Sequence, residues 1–251
     1  MPKPKPRPLN ELIAEELEQC RGCDGLTCPK PTKWWQVPTP GTYNGLAIRD
    51  YVPCQFAAQR AIRQQLRSSE IPSRYLGKTL EDYHVDEDNR IAVKYAQNAL
   101  RLNTGAYFYG DCGTGKTFLA AIVAQDFIRA GKSVIFVKVP RLLADIQSTF
   151  NGRGNEFEIL HRVETADVVV LDDFGMEKPT QWAGATLCKI IDVRYDNPKL
   201  VTIVTSKLSL DDLADRLNAA SDGDNFNGSR IADRLYEMSK PILFNGTSRR
   251  T

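Results

Sequence analysis

Apolar positions fall along this chain in two regimes. From residue 71 onward, short runs of Val, Ile, Leu and aromatic residues alternate with longer stretches where apolar positions recur every three or four residues. The runs at 106–109, 134–137, 168–171, 201–205 and 242–244 predict strands, and the third, all Val or Leu, has the composition of a strand buried on both faces. Segments 117–130, 141–150, 156–163, 181–195, 209–217 and 229–238 carry helical spacing. Gly131 is placed to cap the first at its C-terminus and Ser209 to cap the fifth at its start. Such alternation of β and α implies a parallel sheet with crossover helices, an α/β domain.

The first seventy residues read differently. Pro alternates with Lys or Arg over residues 1–8, the composition of a disordered basic tail. Residues 9–19 predict a short amphipathic helix with Leu9, Leu12, Ile13 and Leu17 on one face. Residues 20–53 are rich in Cys, Pro and Gly with little periodicity, and 55–68 turn helical again, with Arg60, Arg63 and Arg67 on a polar face. Ile71-Pro72 interrupts that pattern and marks a linker. The expected division is a tail (1–8), a small Cys-rich domain (9–70) and a larger α/β domain (71–251).

Composition narrows the partners. A formal net charge of +2 supplies no global basic field, so any nucleic-acid surface must be local. No run approaches the ~18 apolar residues of a membrane span, and the N-terminus has no apolar stretch of the signal-peptide kind. A cytoplasmic protein with reduced thiols and no membrane partner is expected.

The chemistry concentrates at Gly110-Asp111-Cys112-Gly113-Thr114-Gly115-Lys116-Thr117, which matches G-x-x-x-x-G-K-T with a predicted strand before it and a helix, opening at Thr117-Phe118, after it. The glycines let the backbone curl so that successive N–H groups face phosphate oxygens, and the helix start adds partial positive charge. Lys116 should reach the β- and γ-phosphates of ATP, and the Thr117 hydroxyl should ligate Mg²⁺. A chance Gly-rich turn would lack this flanking context.

The third strand ends in Asp172-Asp173. A carboxylate at the end of a buried strand needs a cation or hydrogen-bond donors, and beside a phosphate loop that partner is the Mg²⁺ shell, which gives Asp172 the metal role. Asp173 stands where a water-activating Glu often sits; one methylene shorter, it suits slow turnover. One complete strand (134–137) separates the phosphate-loop strand from this one, the layout of the additional-strand ATPases, with predicted sheet order 5-1-4-3-2. The fourth strand then lies beside the phosphate loop and brings Thr205-Ser206 near the γ-phosphate as a sensor. Arg230 and Arg234 sit one helical turn apart. They read either as arginine fingers offered to a neighbouring subunit, Arg234 first, or as surface salt-bridging residues.

Together, Thr79-Leu80-Glu81-Asp82-Tyr83, the phosphate loop, Val170-Leu171-Asp172-Asp173-Phe174-Gly175, Ile203-Val204-Thr205-Ser206 and Asp233-Arg234-Leu235-Tyr236-Glu237-Met238 resemble the DnaC/DnaI-type helicase loaders and the related IstB-like AAA+ ATPases over residues 71–246. The resemblance implies a three-layer αβα AAA+ domain that binds ATP and Mg²⁺, self-associates, contacts single-stranded DNA and delivers a hexameric replicative helicase. An IstB-like role in transposition and an adaptor with negligible turnover are the alternatives. Lys207 departs from the family, which usually has Asn there. Residues 235–251 are too few for a helical lid, and a lidless site suits a switch better than a fast motor.

Four of the six cysteines, Cys20, Cys23, Cys28 and Cys54, lie in the Cys-rich segment. Cys20-x-x-Cys23 has the spacing of a zinc-knuckle turn, and Cys28 and Cys54 complete a candidate tetrahedral site that would stabilise a module with little core of its own. DnaI-type loaders are similar here, carrying an N-terminal zinc module that engages the helicase. Lys138, Arg141, Arg153 and Arg162, in the segment 138–162, are candidate DNA-phosphate contacts, diluted by Glu156, Glu158 and Glu164.

Overall fold

The computed structural model describes residues 34–43, 46–53, 55–150, 152, 154–219, 227–246 and 248, with side chains from residue 62 onward. The chain divides into two compact units, Met1–Gln64 and Gln65–Thr251. In the first, β1 (Trp34–Tyr43) and β2 (Leu46–Pro53) pair antiparallel, with a register shift between Pro38 and Thr42. For residues 34–43 and 46–53 this corrects the expectation of an irregular segment over 20–53. Pro38 and Pro40 hid the strand from periodicity, yet in a two-stranded sheet both strands are edges, where proline is tolerated. The expected helix over 9–19, the tail over 1–8, the four cysteines of the candidate zinc site and Arg153 lie outside the described residues.

Helix α1 (Gln55–Ser68) occupies the stretch whose spacing predicted it. Two short 3₁₀ turns follow, Ser73–Tyr75 and Leu80–Asp82, and then α2 (Arg90–Leu102), which the sequence reading passed over. Its buried side is Ala92, Val93, Tyr95, Ala96 and Ala99, while Ile91, Leu100 and Leu102 stay exposed and blur the apolar stripe.

The larger unit then alternates β3 (Gly105–Gly110), α3 (Lys116–Arg129), β4 (Val134–Lys138), α4 (Val139–Thr149), α5 (Glu156–Thr165), β5 (Val168–Phe174), α6 (Gln181–Tyr195), β6 (Val201–Ser206), α7 (Leu210–Asn218), α8 (Asn227–Met238) and β7 (Ser239–Phe244). The five strands are parallel in the order β4-β5-β6-β3-β7, the 5-1-4-3-2 arrangement expected from the motif order.

Three layers follow from strand alternation. Tyr107, Val137, Val169, Leu171 and Val204 join one buried cluster with Leu142, Ile146, Leu187, Ile191, Ile231 and Leu235 of α4, α6 and α8. Their strand neighbours face the other side, where α3 packs against β4, β5 and β6 and is covered in turn by α2. Helix α3 is therefore apolar nearly all round, with Leu119, Ile122, Val123, Phe127 and Ile128 buried. This double burial holds the phosphate loop, which lies at the start of α3, against a rigid element.

Candidate nucleotide site

The carboxyl ends of β3, β5 and β6 converge on the loop 110–117. Gly113 and Gly115 take φ of +84° and +97°. A side chain at Gly113 would collide with Ser248, and a Cβ at Gly115 would lie 2.7 Å from the Tyr83 hydroxyl, so backbone angle and space both demand glycine. Lys116 folds back over the loop, donating to the carbonyls of Gly110 (2.7 Å) and Asp111 (2.6 Å) and to Thr114 Oγ1 (3.4 Å). Burial lowers its ammonium pKa against the pull of Asp111, Asp172 and Asp173.

Asp172 lies at the centre of a hydrogen-bonded line. Its Oδ1 accepts from Thr117 Oγ1 at 2.8 Å and from Thr205 Oγ1 at 2.6 Å. Its Oδ2 is buried and has no hydrogen-bond partner. Burial raises the carboxyl pKa above its ordinary value, while the two threonine hydroxyls oppose that rise. The strand register shifts between Leu171 and Phe174, and Asp173 adopts φ 58°, a left-handed conformation that re-aims its side chain. The Asp173 N–H donates to Thr205 Oγ1 at 3.1 Å.

A cavity of about 290 Å³ opens beside this line, bounded by Gly113, Gly115, Lys116, Thr117, Phe118, Asp173, Ser206 and Lys207. Tyr75, Asp82, Tyr83 and His84 also line it. Tyr75 stacks on Phe118 at 5.1 Å and 11°, and Tyr83 leans on the same ring at 5.4 Å. Both tyrosines are placed by local chemistry. Buried Gln125 of α3 ties down residues 75–78 by donating to Tyr75 O (2.9 Å) and accepting from Gly77 N (2.7 Å). Thr79 and Asp82 form a capping box that sets the turn before Tyr83.

The residues singled out in the sequence therefore separate into two groups. Gly110 to Phe118, Asp172, Asp173, Thr205 and Ser206 come together, with Thr205 turned toward Asp172 and Ser206 lining the cavity. Arg230 and Arg234 do not line it; both bind the carboxylate of Asp192 on α6, Arg230 at 2.8 Å, and Arg234 also lies over the Tyr195 ring at 5.1 Å. Cys112 is exposed.

A family model described as "IstB-like ATP binding protein" matches residues 54–251. The chain belongs to the IstB-like ATP-binding family. Within the wider set of similar proteins, it is 25% identical over 260 residues to the replicative helicase loader DnaI of Bacillus subtilis (strain 168), covering 96% of this chain and 82% of that protein. It is 30% identical over 185 residues to the replicative helicase loader DnaC of Buchnera aphidicola subsp. Baizongia pistaciae (strain Bp), covering 70% and 71% respectively. A crystal structure of DnaI superposes with a TM-score of 0.62 at 25% identity, over 74% of this chain and all of that one.

For an IstB-like ATP-binding protein, the residues missed in the sequence are informative. Tyr75 and His84 come from the segment before the main sheet, where the sequence had singled out only the Thr79-Leu80-Glu81-Asp82-Tyr83 motif; its Thr79–Asp82 capping box and the place of Tyr83 at the cavity emerge from the structure. Asp192 carried no signal, because its pairing with Arg230 and Arg234 joins two helices far apart in sequence. Of the cationic residues in 138–162, Lys138 is engaged with Asp173, Arg141 with Asp145 and Arg162 with Glu70. No helix among the described residues is long and apolar enough to cross a membrane.

Proposed function

We propose that this chain binds Mg-ATP at the 110–117 loop and uses slow hydrolysis as a switch in delivering a hexameric replicative helicase to single-stranded DNA. The observation that carries the reading is Asp172, whose buried Oδ2 has no hydrogen-bond partner, the Lys138 ammonium standing 3.9 Å away, while Oδ1 accepts from Thr117. A buried carboxylate oxygen without a donor is costly, and a divalent cation ligated by Thr117 and Asp172 offsets that cost. The donor set, hydroxyl and carboxylate oxygens only, suits Mg²⁺. Held there by Thr117 and Asp172, Mg²⁺ would neutralise charge on the phosphate oxygens of ATP.

The chain's own residues supply the rest. The amides around Gly113 and Gly115 wrap the phosphates. Lys116 exchanges its two carbonyl partners for phosphate oxygens. Phe118, with Tyr75 stacked on it and Tyr83 tilted against it, offers the aromatic surface against which the base lies. Asp173 orients the attacking water, and Ser206 and Lys207 face the γ-phosphate. Arg234 and Arg230, oriented by Asp192, stabilise charge on the nucleotide of a neighbouring copy. Exposed Phe150, set edge-on against Trp182, and exposed Phe157, stacked on His161, give the 138–162 segment aromatic surfaces for bases beside its cationic side chains.

Likeness to DnaI over 96% of the chain supports helicase loading over an IstB-like transposition role, because it includes the N-terminal unit. That unit, by the same reading, holds Zn²⁺ through Cys20, Cys23, Cys28 and Cys54 and engages the helicase. The protein then works in the cytoplasm, on the replicating chromosome or a mobile element.

The test is Lys116→Ala in the full chain, followed by ATP titration and by capture of a hexameric helicase on oligonucleotide beads. Loss of ATP binding by at least about a hundredfold, with loss of loading, is the expected result. Unchanged ATP affinity ends the site assignment, and capture of a transposase instead of a helicase ends the loader reading. Zinc content near one per chain, lost in Cys20→Ser, checks the metal module.

A further inference from the structure

The turn that follows Asp173 is closed by the Met176 N–H, which donates to the Asp173 carbonyl at 3.2 Å. Gly175 takes φ +81° at its third position. That is the type II form, which differs from type I in the direction of its central peptide. Side chains grip both ends of that peptide. The Phe174 carbonyl accepts from Ser206 Oγ at 2.7 Å, and the Gly175 N–H donates to Glu177 Oε2 at 3.0 Å. Glu177 is a costly way to hold one amide. It is 4% exposed, its Oε1 has no hydrogen-bond partner, and burial raises its carboxyl pKa. Arg216 of α7 donates from Nη2 to the Glu177 backbone carbonyl at 3.1 Å and leaves the bare oxygen unpaired. For packing alone, an apolar side chain would serve this position at lower cost.

We propose that Glu177 is a positioning residue for hydrolysis: by fixing the Phe174–Gly175 peptide it holds the backbone of Asp173, and so the aim of that carboxylate. This rests on the reading of Asp173 as the water-orienting acid. Asp173 has a left-handed backbone, φ 58°, which an L-residue keeps only where its surroundings impose it. Its N–H is held by Thr205 Oγ1, and its carbonyl by the turn. Released from Glu177, the central peptide can reverse, and Asp173 relaxes toward an ordinary strand conformation with its carboxylate re-aimed. The phosphate loop lies on another strand and keeps its shape, so ATP binding survives the change.

Two measurements test this in the full chain: amide hydrogen exchange over residues 173–177 without nucleotide, and single-turnover hydrolysis counted per bound ATP. Glu177→Met fills the space and removes the acceptor. Its Gly175 amide is expected to exchange at least about tenfold faster. Hydrolysis per bound ATP should fall about tenfold to a hundredfold, with ATP affinity within about twofold of wild type. Glu177→Gln keeps a carbonyl for the Gly175 amide and should restore both quantities to within about threefold. A residue with a structural role alone would change the amount of active protein and leave the rate per bound ATP intact. That rate reads only folded molecules, so partial misfolding of Glu177→Met does not blur the answer. In an Asp173→Asn background, adding Glu177→Met should cost no further activity, because the two act as one unit. Unchanged exchange, an unchanged rate per bound ATP, or losses that multiply in the double variant would each overturn the proposal. Full hydrolysis in Asp173→Asn, with fast exchange in Glu177→Met, would place the failure in the reading of Asp173 and not in the grip on the turn.

Discussion

Strands β5 and β6 lie side by side, and their two ends treat buried polar groups in opposite ways. At the amino ends, Arg194 is fully buried and donates to Thr202 Oγ1 (2.9 Å) and to the carbonyls of Val163 (3.0 Å), Ala166 (2.9 Å) and Val201 (2.7 Å). Burial pulls its pKa down to about 10, which leaves it charged at neutral pH. One guanidinium thereby closes the backbone of α5, the turn before β5 and the start of β6. At the carboxyl ends, Asp172 is equally buried but keeps an oxygen without a donor, and the residue after it holds a left-handed conformation. The saturated end stabilises the fold. The unsaturated end keeps a free valence for a ligand, and the packed helices above and below carry the cost.

The strongest way to break this contrast is Arg194→Met. Three carbonyls lose their donor inside the core, for an expected loss of about 3–5 kcal/mol. In a domain of this size that is a fall in Tm of roughly 10 °C. ATP affinity of the folded fraction should stay within about twofold, since nothing at the carboxyl ends moves. A fall in Tm under about 3 °C would show that the carbonyls find other donors, and the saturated end would lose its structural meaning.

A matched pair on β6 sharpens the comparison. Thr202 accepts from Arg194, and Thr205 joins Asp172 to the Asp173 amide. Thr202→Val and Thr205→Val each keep shape and delete one hydroxyl. Each should cost about 1–2 kcal/mol in thermal denaturation. Only Thr205→Val should alter the site, because its hydroxyl is the leading influence holding the Asp172 pKa down. Its loss should weaken Mg²⁺-dependent ATP binding at mildly acidic pH, where Thr202→Val behaves as wild type. Equal effects of the two on nucleotide binding would count against the division.

The two ends were also unequally legible in the sequence. The carboxyl-end residues carry a local code: glycines at fixed offsets, Lys116-Thr117 at a helix start, and adjacent acids after a Val-Leu run. Short-range constraints of backbone and phosphate geometry impose such patterns, so they can be read in a linear string. Arg194 carried no code, since its acceptors are carbonyls from three separate segments and any residue type supplies a carbonyl. Asp192 escaped for the same reason. Helix α2 was missed because Ile91, Leu100 and Leu102 lie outside its buried stripe, and β1 because prolines interrupted its alternation. Periodicity captured β5 and β6 because burial on both faces demands apolar runs, whereas the edge strand β7, with Leu243 exposed, showed only as a short Ile-Leu-Phe run.

The smallest effect separates the two ends by pH. Asp172→Asn keeps an acceptor for Thr117 and Thr205 and places a neutral NH₂ where the orphaned oxygen stood, so the apo protein should gain about 1 kcal/mol at neutral pH while losing hydrolysis. The folded pKa of Asp172 lies above its unfolded value. Its ionised form therefore disfavours folding: stability is fully present below the unfolded pKa and is lost as pH rises through the folded one. Wild type recovers that stability on acidification, whereas the Asn variant has nothing to recover. The advantage of the variant should shrink from pH 7.5 toward pH 4, measured as the difference in Tm at each pH without nucleotide. Asp82 and Asp167, whose pKa values are lowered by Lys78 and Ser133, titrate in the opposite sense, but both variant and wild type carry them and they cancel in the difference. A difference that stays flat, or widens on acidification, would mean that Asp172 is not held ionised against its surroundings, and the free valence assigned to this end of the sheet would have no energetic basis.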